Sequence, residues 1–395
     1  MSPVVLHLHP RADRRVRAGH PWLFSNEIAT DLRPFEPGCT VDVVDAHGRY
    51  VGRGYTNPRS LIAVRLLSRD RRDDVDLPGF YARRLAEALA YREAACPGRQ
   101  ALRLVHGEAD GLPGLVVDRY GDLLAIQINT AGMERRREAL REAIEEVLSP
   151  AGVVLRNDGR SRKLEGLPLV REAWFGEVPD RVEFEEHGVR FAVDPMGGQK
   201  TGHFFDQADN RRRAAALCPG QSVLDVYAYS GAWALHALVA GAERAVAVDS
   251  SEPACVAMKD NAELNGVSDR LAVVHDEGKR SLELLVGEGA RFGVVILDPP
   301  AFAKTRKAAS SALRGYRDVN SLALALVEPG GFLFTSTCSY HVKEDRFLEA
   351  LRQAAVGAGR RVRIAYRGSQ AADHPVLPGV PETRYLKCFG LHVGV

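Results

Sequence analysis

The sequence predicts an α/β protein: a doubly wound parallel sheet in the C-terminal half, preceded by a small β-rich barrel and a central α+β segment. Three observations predict it. From residue 222 onward, short apolar runs alternate with helical patterns, as strands and crossover helices do in a parallel sheet. Residues 1–72 instead carry short β-type runs, at 39–45 and 61–67 among others, separated by Gly and Pro turns. Between these parts, helical patterns mix with strand-like runs.

The charged stretch at 69–74 marks the first boundary, and a helix is predicted from about Tyr81 to Ala95. The Gly and Pro spacing of 106–122 suits a turn, a strand and a second turn; a helix over 133–148 and a strand at 152–156 complete the central segment. Near residue 181 the pattern becomes a hairpin, with strands 182–186 and 189–193 around the turn His187-Gly188. Residues 384–389 read as the last strand of the sheet. The domains expected are therefore 1–72, 73–180 and 181–395, the last opening on that hairpin.

Composition narrows the class. At 395 residues the chain is too long for one ordinary core, and no apolar run approaches the roughly 18–20 residues that span a bilayer. The first residues lack the basic start, apolar stretch and cleavage site of a secretory leader, so a cytoplasmic protein without membrane attachment is expected. Six cysteines, none in a CxxC pair, argue against a zinc site and a disulfide framework. Residues 1–72 hold 12 Arg against 7 Asp plus Glu, a surplus able to face phosphate; a solvated charged face explains it equally well.

The strand at 222–227 runs into Ala228-Tyr229-Ser230-Gly231 and then a helix from about Ala232, and the next strand ends at Asp249, 18 residues beyond Gly231. A carboxylate there can accept hydrogen bonds from two ribose hydroxyls. A dinucleotide enzyme uses the same geometry, but this loop lacks GxGxxG, whose second glycine admits a pyrophosphate. S-adenosylmethionine has a ribose and an adenine but no phosphate, and fits the loop better than NAD. The competing reading is that Asp249 only caps the following helix.

Two motifs close later strands: Leu297-Asp298-Pro299-Pro300 and Thr335-Ser336-Thr337-Cys338-Ser339. Both are predicted at carboxyl ends of parallel strands, where open α/β sheets bind ligands. A thiolate adding to C6 of cytosine makes C5 enamine-like and able to accept a methyl group from a sulfonium; Cys338 is the candidate thiolate. The addition is easier if N3 receives a proton or strong hydrogen bond, and Asp298 is the candidate for that task, its tip stiffened by Pro299 and Pro300. A lone cysteine is more often a small buried hydrophobe, but polar Thr337 and Ser339 flank this one. The other five lack such a setting: Cys218 and Cys255 are expected in helices, Cys388 in the last strand, and Cys39 and Cys96 in the earlier domains.

Several segments carry a family resemblance that spans the chain: Gly19-His20-Pro21-Trp22-Leu23-Phe24-Ser25-Asn26-Glu27, Glu108-Ala109-Asp110-Gly111-Leu112-Pro113-Gly114, residues 198–207, Asp298-Pro299-Pro300, Gly315-Tyr316-Arg317-Asp318-Val319-Asn320, Thr337-Cys338-Ser339 and residues 370–375. The sequence resembles the large-subunit ribosomal RNA cytosine-5 methyltransferase family related to methyltransferase I. The resemblance implies an N-terminal PUA domain, a central α+β domain and a C-terminal Rossmann-like class I methyltransferase domain. It implies S-adenosylmethionine as methyl donor, no metal, and a cytosine of 23S ribosomal RNA as substrate, with Cys338 and Asp298 as the reacting groups. It also implies a cofactor site formed by Gln199, Lys200, Thr201, Gly202, Tyr227, Tyr229, Ser230, Gly231, Asp249, Ser250, Asp298 and Pro299, with Asp276 and Glu277 competing for the adenine-side position. Ser230-Gly231-Ala232-Trp233 departs from the commoner Thr-Gly-Gly-Phe of the family. His374 has no evident chemical task, and a turn at His374-Pro375 explains it as well as catalysis does.

The rival within enzymes is methylation of an exocyclic amine, with Cys338 as packing; the rival outside enzymes is an RNA-binding assembly factor that retains the cofactor fold. A homodimer and a monomer fit the sequence equally.

Overall fold

The structure, a computed structural model, describes residues 3–198, 201–303 and 305–394. The chain forms two compact units: Met1–Val182 with Asp194–His203 and Ala372–Thr383, and Glu183–Val193 with Phe204–Ala371 and Arg384–Val395.

In the first unit, strands β1 (Val4–His7), β2 (Trp22–Phe24), β3 (Thr40–Val44), β4 (Tyr50–Thr56) and β5 (Ile62–Ser68) form a sheet in the order β1-β3-β4-β5-β2, with the short helix α1 (Arg14–Arg17) between β1 and β2. Beyond the two edge strands, Ala29 N donates to His7 O (2.8 Å) and His9 N to Glu27 O (3.0 Å). These bonds join the end of β1 to the segment that follows β2, and the sheet curls around Leu6, Leu23, Val41, Val43 and Val64. Bulges at Val43/Val44 and Arg53/Gly54 supply the bend.

The same unit holds helix α2 (Pro78–Ala95), strands β6 (Ala101–His106), β7 (Leu115–Tyr120) and β8 (Leu123–Ile128), helices α3 (Ala131–Arg135) and α4 (Arg137–Leu148), strand β9 (Gly152–Asn157), helix α5 (Arg160–Leu164) and strand β10 (Val170–Gly176). The strands pair as β10-β9-β8-β7-β6. Phe80 and Leu85 of α2 and Leu140 and Ile144 of α4 pack on Val117, Ile126 and Leu155 of this sheet. The single helix expected over 133–148 is two helices. Arg136 breaks it: its buried guanidinium donates to the carbonyls of Gly132 (2.7 Å), Gly38 (2.9 Å) and Val75 (3.1 Å), which holds its backbone out of helical geometry.

The second unit receives the hairpin β11 (Val182–Glu186) and β12 (Val189–Val193), turned by His187 (φ 50°) and Gly188 (φ 82°), the left-handed pair a two-residue hairpin needs. Then follow α6 (Ala208–Ala215), β13 (Ser222–Val226), α7 (Ala232–Val239), β14 (Arg244–Asp249), α8 (Glu252–Leu264), β15 (Leu271–His275), α9 (Gly278–Gly287), β16 (Phe292–Leu297), α10 (Ala309–Leu326), β17 (Val327–Thr337), α11 (Glu344–Gly357), β18 (Val362–Gly368) and β19 (Lys387–Val393). The sheet order is β15-β14-β13-β16-β17-β19-β18; β13 to β17 are parallel and β19 is antiparallel to both neighbours. Chain order reverses between β13 and β16, which places a crevice at their carboxyl ends.

Two local expectations shift. The last strand starts at Lys387 rather than at 384, because pairing with β17 begins only where Lys387 meets Thr337. Cys218 lies beyond α6, not in a helix, where Pro219-Gly220 turns the chain toward β13. Among the described residues no helix is long and apolar enough to cross a membrane, and no group of His, Cys, Asp or Glu is arranged to hold a metal ion.

Candidate active site

At the carboxyl end of β13 the chain enters a loop wound through left-handed conformations: Tyr227 (φ 66°), Tyr229 (φ 51°) and Gly231 (φ 79°). Such angles cost a tyrosine free energy, so the surroundings must hold the loop. They do so through Asp249, at the tip of β14. One carboxylate oxygen accepts from Tyr229 N (2.8 Å) and the other from Ser251 N (2.9 Å). Capping of α8 falls to Ser251, whose hydroxyl accepts from Ala254 N. Asp249 is therefore not the helix cap; it braces the loop, and each of its oxygens keeps a lone pair that a ribose hydroxyl can use. Gly231 packs so closely that a Cβ there would stand 2.8 Å from Cγ of Met258.

Of the two acids after β15, Glu277 caps α9, accepting from Lys279 N (3.4 Å) and Arg280 N (3.1 Å). Asp276 is half-buried, and its backbone N donates to Asp249 O (3.1 Å), so it stands next to the ribose-side acid. Ser250 is exposed and Ser230 buried. Behind the loop, Asp225 accepts from Ala234 N (3.0 Å), and burial pushes its carboxyl up to about 8.

Asp298 follows β16. Gln207 Nε2 donates to its two oxygens (3.0 and 3.1 Å) and Trp233 Nε1 to one of them (3.1 Å). The Gln207 amide also reaches Ser336 Oγ (3.1 Å), and its own oxygen accepts from Asn210 Nδ2 (2.6 Å), which fixes its orientation. Desolvation raises the Asp298 carboxyl to about 6, helped by the charge of Asp206 and opposed by the Trp233 and Gln207 hydrogen bonds. This acid can carry a proton close to neutral pH.

β17 runs beside β16 with Leu297 opposite Thr335, so Asp298 and the Thr335 to Ser339 run share one edge of the sheet. Within that run Thr335, Ser336, Thr337 and Ser339 are buried, while Cys338 is half-buried. Its neighbours are fastened on both sides. Thr337 Oγ1 donates to Tyr316 OH (2.8 Å), Ser339 Oγ meets the same hydroxyl (3.1 Å), Ala303 N donates to Ser339 Oγ (3.3 Å) and Lys387 Nζ to Ser339 O (2.9 Å). From Thr335 to Ser339, Cys338 alone keeps partial exposure. None of the six cysteines is in a disulfide. Burial pushes the thiols of Cys218 and Cys388 up to about 12 and raises those of Cys39 and Cys255, which keeps them protonated and inert at neutral pH.

Residues 103–363 of the chain match the family described as S-adenosylmethionine-dependent methyltransferase, and residues 6–69 match a PUA-like domain. The curated relative named "Ribosomal RNA large subunit methyltransferase I" from Cronobacter sakazakii is 37% identical over 378 residues, 95% of each chain. The protein of the same name from Salmonella arizonae is 38% identical over 95% of this chain and 94% of its own. The chain belongs to the ribosomal RNA large subunit methyltransferase I family. It is an S-adenosylmethionine-dependent methyltransferase. A solved structure, that of a putative methyltransferase complexed with SAH, covers the full length of both chains with a TM-score of 0.84 at 18% identity, and so shares the fold.

The residues present fit the family's methyl donor. The β13 loop has a left-handed glycine, an acid at the tip of the neighbouring strand β14, and no dinucleotide glycine pattern. Of the other positions expected at this site, Pro299 is buried beside Asp298. Thr201 and Gly202 belong to the first unit, where Thr201 is fully buried, its hydroxyl donating to Asp118 and its carbonyl accepting from Tyr120 OH (3.1 Å). Gln199 and Lys200 lie outside the described residues.

Sequence reasoning missed the groups that orient Asp298 and Cys338. Gln207 sits inside the quoted 198–207 segment, and Trp233 stands where the family more often has Phe; its indole N–H was the available signal. Tyr316 lay in a quoted motif without a task. The Asp373-His374 pair lies in the first unit, buried: Asp373 accepts from His374 Nδ1 (2.9 Å) and Arg103 N (2.9 Å), and its carbonyl from Arg92 (2.9 Å), an anchor for the segment around it.

Proposed function

We propose that this protein methylates C5 of a cytosine in large-subunit (23S) ribosomal RNA through a covalent adduct between Cys338 and C6 of the base. The observation that carries the proposal is the bracketed Cys338 thiol, half-buried between buried neighbours on the same sheet edge as Asp298. The ribosomal RNA substrate rests on the relatives' names, and the base on the chemistry of a thiol paired with an acid.

The Cys338 thiolate attacks C6, and the C5–C6 π electrons shift so that C5 becomes nucleophilic. Asp298, held by Gln207 and Trp233, gives N3 a proton or a hydrogen bond and so accepts the developing negative charge. S-adenosylmethionine, when bound, supplies the methyl group on a sulfonium centre. C5 takes that methyl as a neutral thioether leaves; a base removes the C5 proton, the N3 proton returns to Asp298, and expulsion of the Cys338 sulfur as thiolate restores the C5–C6 double bond. Asp249 and Asp276 would hold the ribose and adenine ends of the cofactor, Tyr227, Tyr229, Ser230 and Gly231 its methionine end, and Glu277 would act through the α9 terminus. Residues 1–72 grip the RNA, 73–180 extend that grip, and 181–395 perform the transfer; the target base leaves its stack to reach the thiol.

Cys338→Ala tests the reading. We expect complete loss of methylation and of a trapped adduct with RNA containing 5-fluorocytosine, with S-adenosylmethionine binding retained by calorimetry. Substantial residual methylation sinks the covalent route and favours amine methylation; loss of cofactor binding in the wild-type protein favours an assembly factor. Bisulfite mapping of ribosomal RNA with and without the protein locates the base.

A further inference from the structure

Lys387 opens β19 opposite Thr337, the last residue of β17, and is only 6% exposed. Its ammonium donates to two backbone carbonyls, Ser339 O at 2.9 Å and Tyr385 O at 3.0 Å. Carbonyls satisfy donors but carry no formal charge, and burying a cation without a negative partner is costly. Lys343 and Arg384 repel it and Glu344 attracts it. Glu344 is already divided between Arg384 (2.8 Å) and Arg367 (3.5 Å). Cys338 is also within electrostatic reach and favours the charged ammonium.

We infer that Lys387 is a positioning residue for Cys338: its ammonium clamps the carbonyl of Ser339, next in the chain to the cysteine, and supplies positive charge that favours the thiolate. The inference rests on Cys338 being the nucleophile and deepens that reading. Burial first, then Lys343 and Arg384, push Lys387 down to about 8, so it stays charged at pH 7. A thiol beside such a cation ionises below the ordinary cysteine value of about 8.5 and becomes reactive at neutral pH. Tyr316 is also within electrostatic reach of Cys338; its hydroxyl is engaged by Thr337 and Ser339 and burial raises it, so it stays neutral at pH 7.

The test is iodoacetamide alkylation of the full-length protein across pH, with Cys338 followed by peptide mass spectrometry. In the wild type we expect a Cys338 midpoint at least one unit below the ordinary thiol value. Lys387→Met should raise that midpoint by a unit or more and slow alkylation at pH 7 at least tenfold, while Lys387→Arg stays within threefold of wild type. A role confined to packing would leave the midpoint unmoved. If Lys387→Met does not fold, the wild-type midpoint alone decides: a value at or above about 8.5 overturns the inference. An unmoved midpoint in folded Lys387→Met overturns it too, and leaves the nucleophile reading standing. Retained methylation by Cys338→Ala overturns the nucleophile reading, whatever the midpoints show.

Discussion

Two acids at neighbouring strand ends have different surroundings. Asp249 meets two backbone N–H groups and braces a loop, whereas Asp298 meets one indole and one amide in a desolvated corner that raises it to about 6. The raised value sets a direction for activity. The proton-donating form of Asp298 is present below about 6 and lost above it, so the rate advantage of wild type over Asp298→Asn should be greatest near pH 5.5 and shrink toward pH 8. The substitution should lower kcat/KM by ~10²-fold, the usual contribution of one general acid. A pH profile of kcat/KM for both proteins measures this; parallel profiles would mean that Asp298 holds the base without passing it a proton.

At the scale of elements, the alternation of strands and helices and the positions of Asp249, Asp298 and Cys338 at strand ends were legible, because buried parallel strands are continuous apolar runs with polar residues only at their tips. What the sequence did not display is contact between distant segments. The 133–148 helix breaks because Arg136 finds carbonyls at 38 and 75, and Cys338 is bracketed by Tyr316 and Lys387, 22 residues before it and 49 after it. Neither is visible in a local window. The β13 loop lies between these cases: the glycine was readable, but the left-handed tyrosines were not. Gly231→Ala should therefore weaken S-adenosylmethionine binding by roughly tenfold, since the new methyl meets Met258 at 2.8 Å in a backbone conformation that disfavours side chains by about 1–2 kcal/mol. Calorimetry checks this, and adding Met258→Ala should recover part of the loss. Unchanged affinity in the single variant would show that the loop relaxes without cost.

At the scale of the whole molecule, the Arg surplus of residues 1–72 is smaller in effect than in number. Arg15, Arg17, Arg33, Arg49, Arg53, Arg65 and Arg72 are all engaged by carboxylates. Arg11, Arg14, Arg59, Arg69 and Arg71 are exposed, and among the described residues none of them has a carboxylate within salt-bridge distance. If this region grips RNA phosphates, these five set the size of the electrostatic contribution. Each phosphate contact on a single strand adds about −0.7 to the slope of log K against log salt, so this region should contribute no more than about −3.5. Filter binding of ribosomal RNA fragments at several salt concentrations measures the slope. Arg11→Gln and Arg14→Gln should each flatten it by about 0.7 and weaken binding to different RNA sequences alike, because phosphate contacts position the chain without reading bases. Replacing Arg33 or Arg72, whose guanidinium groups are held by Asp31 and Asp70, should leave the slope nearly unchanged. A slope that responds equally to all four substitutions would mean that the ion pairs open on RNA binding, and a slope that responds to none would move the grip out of residues 1–72.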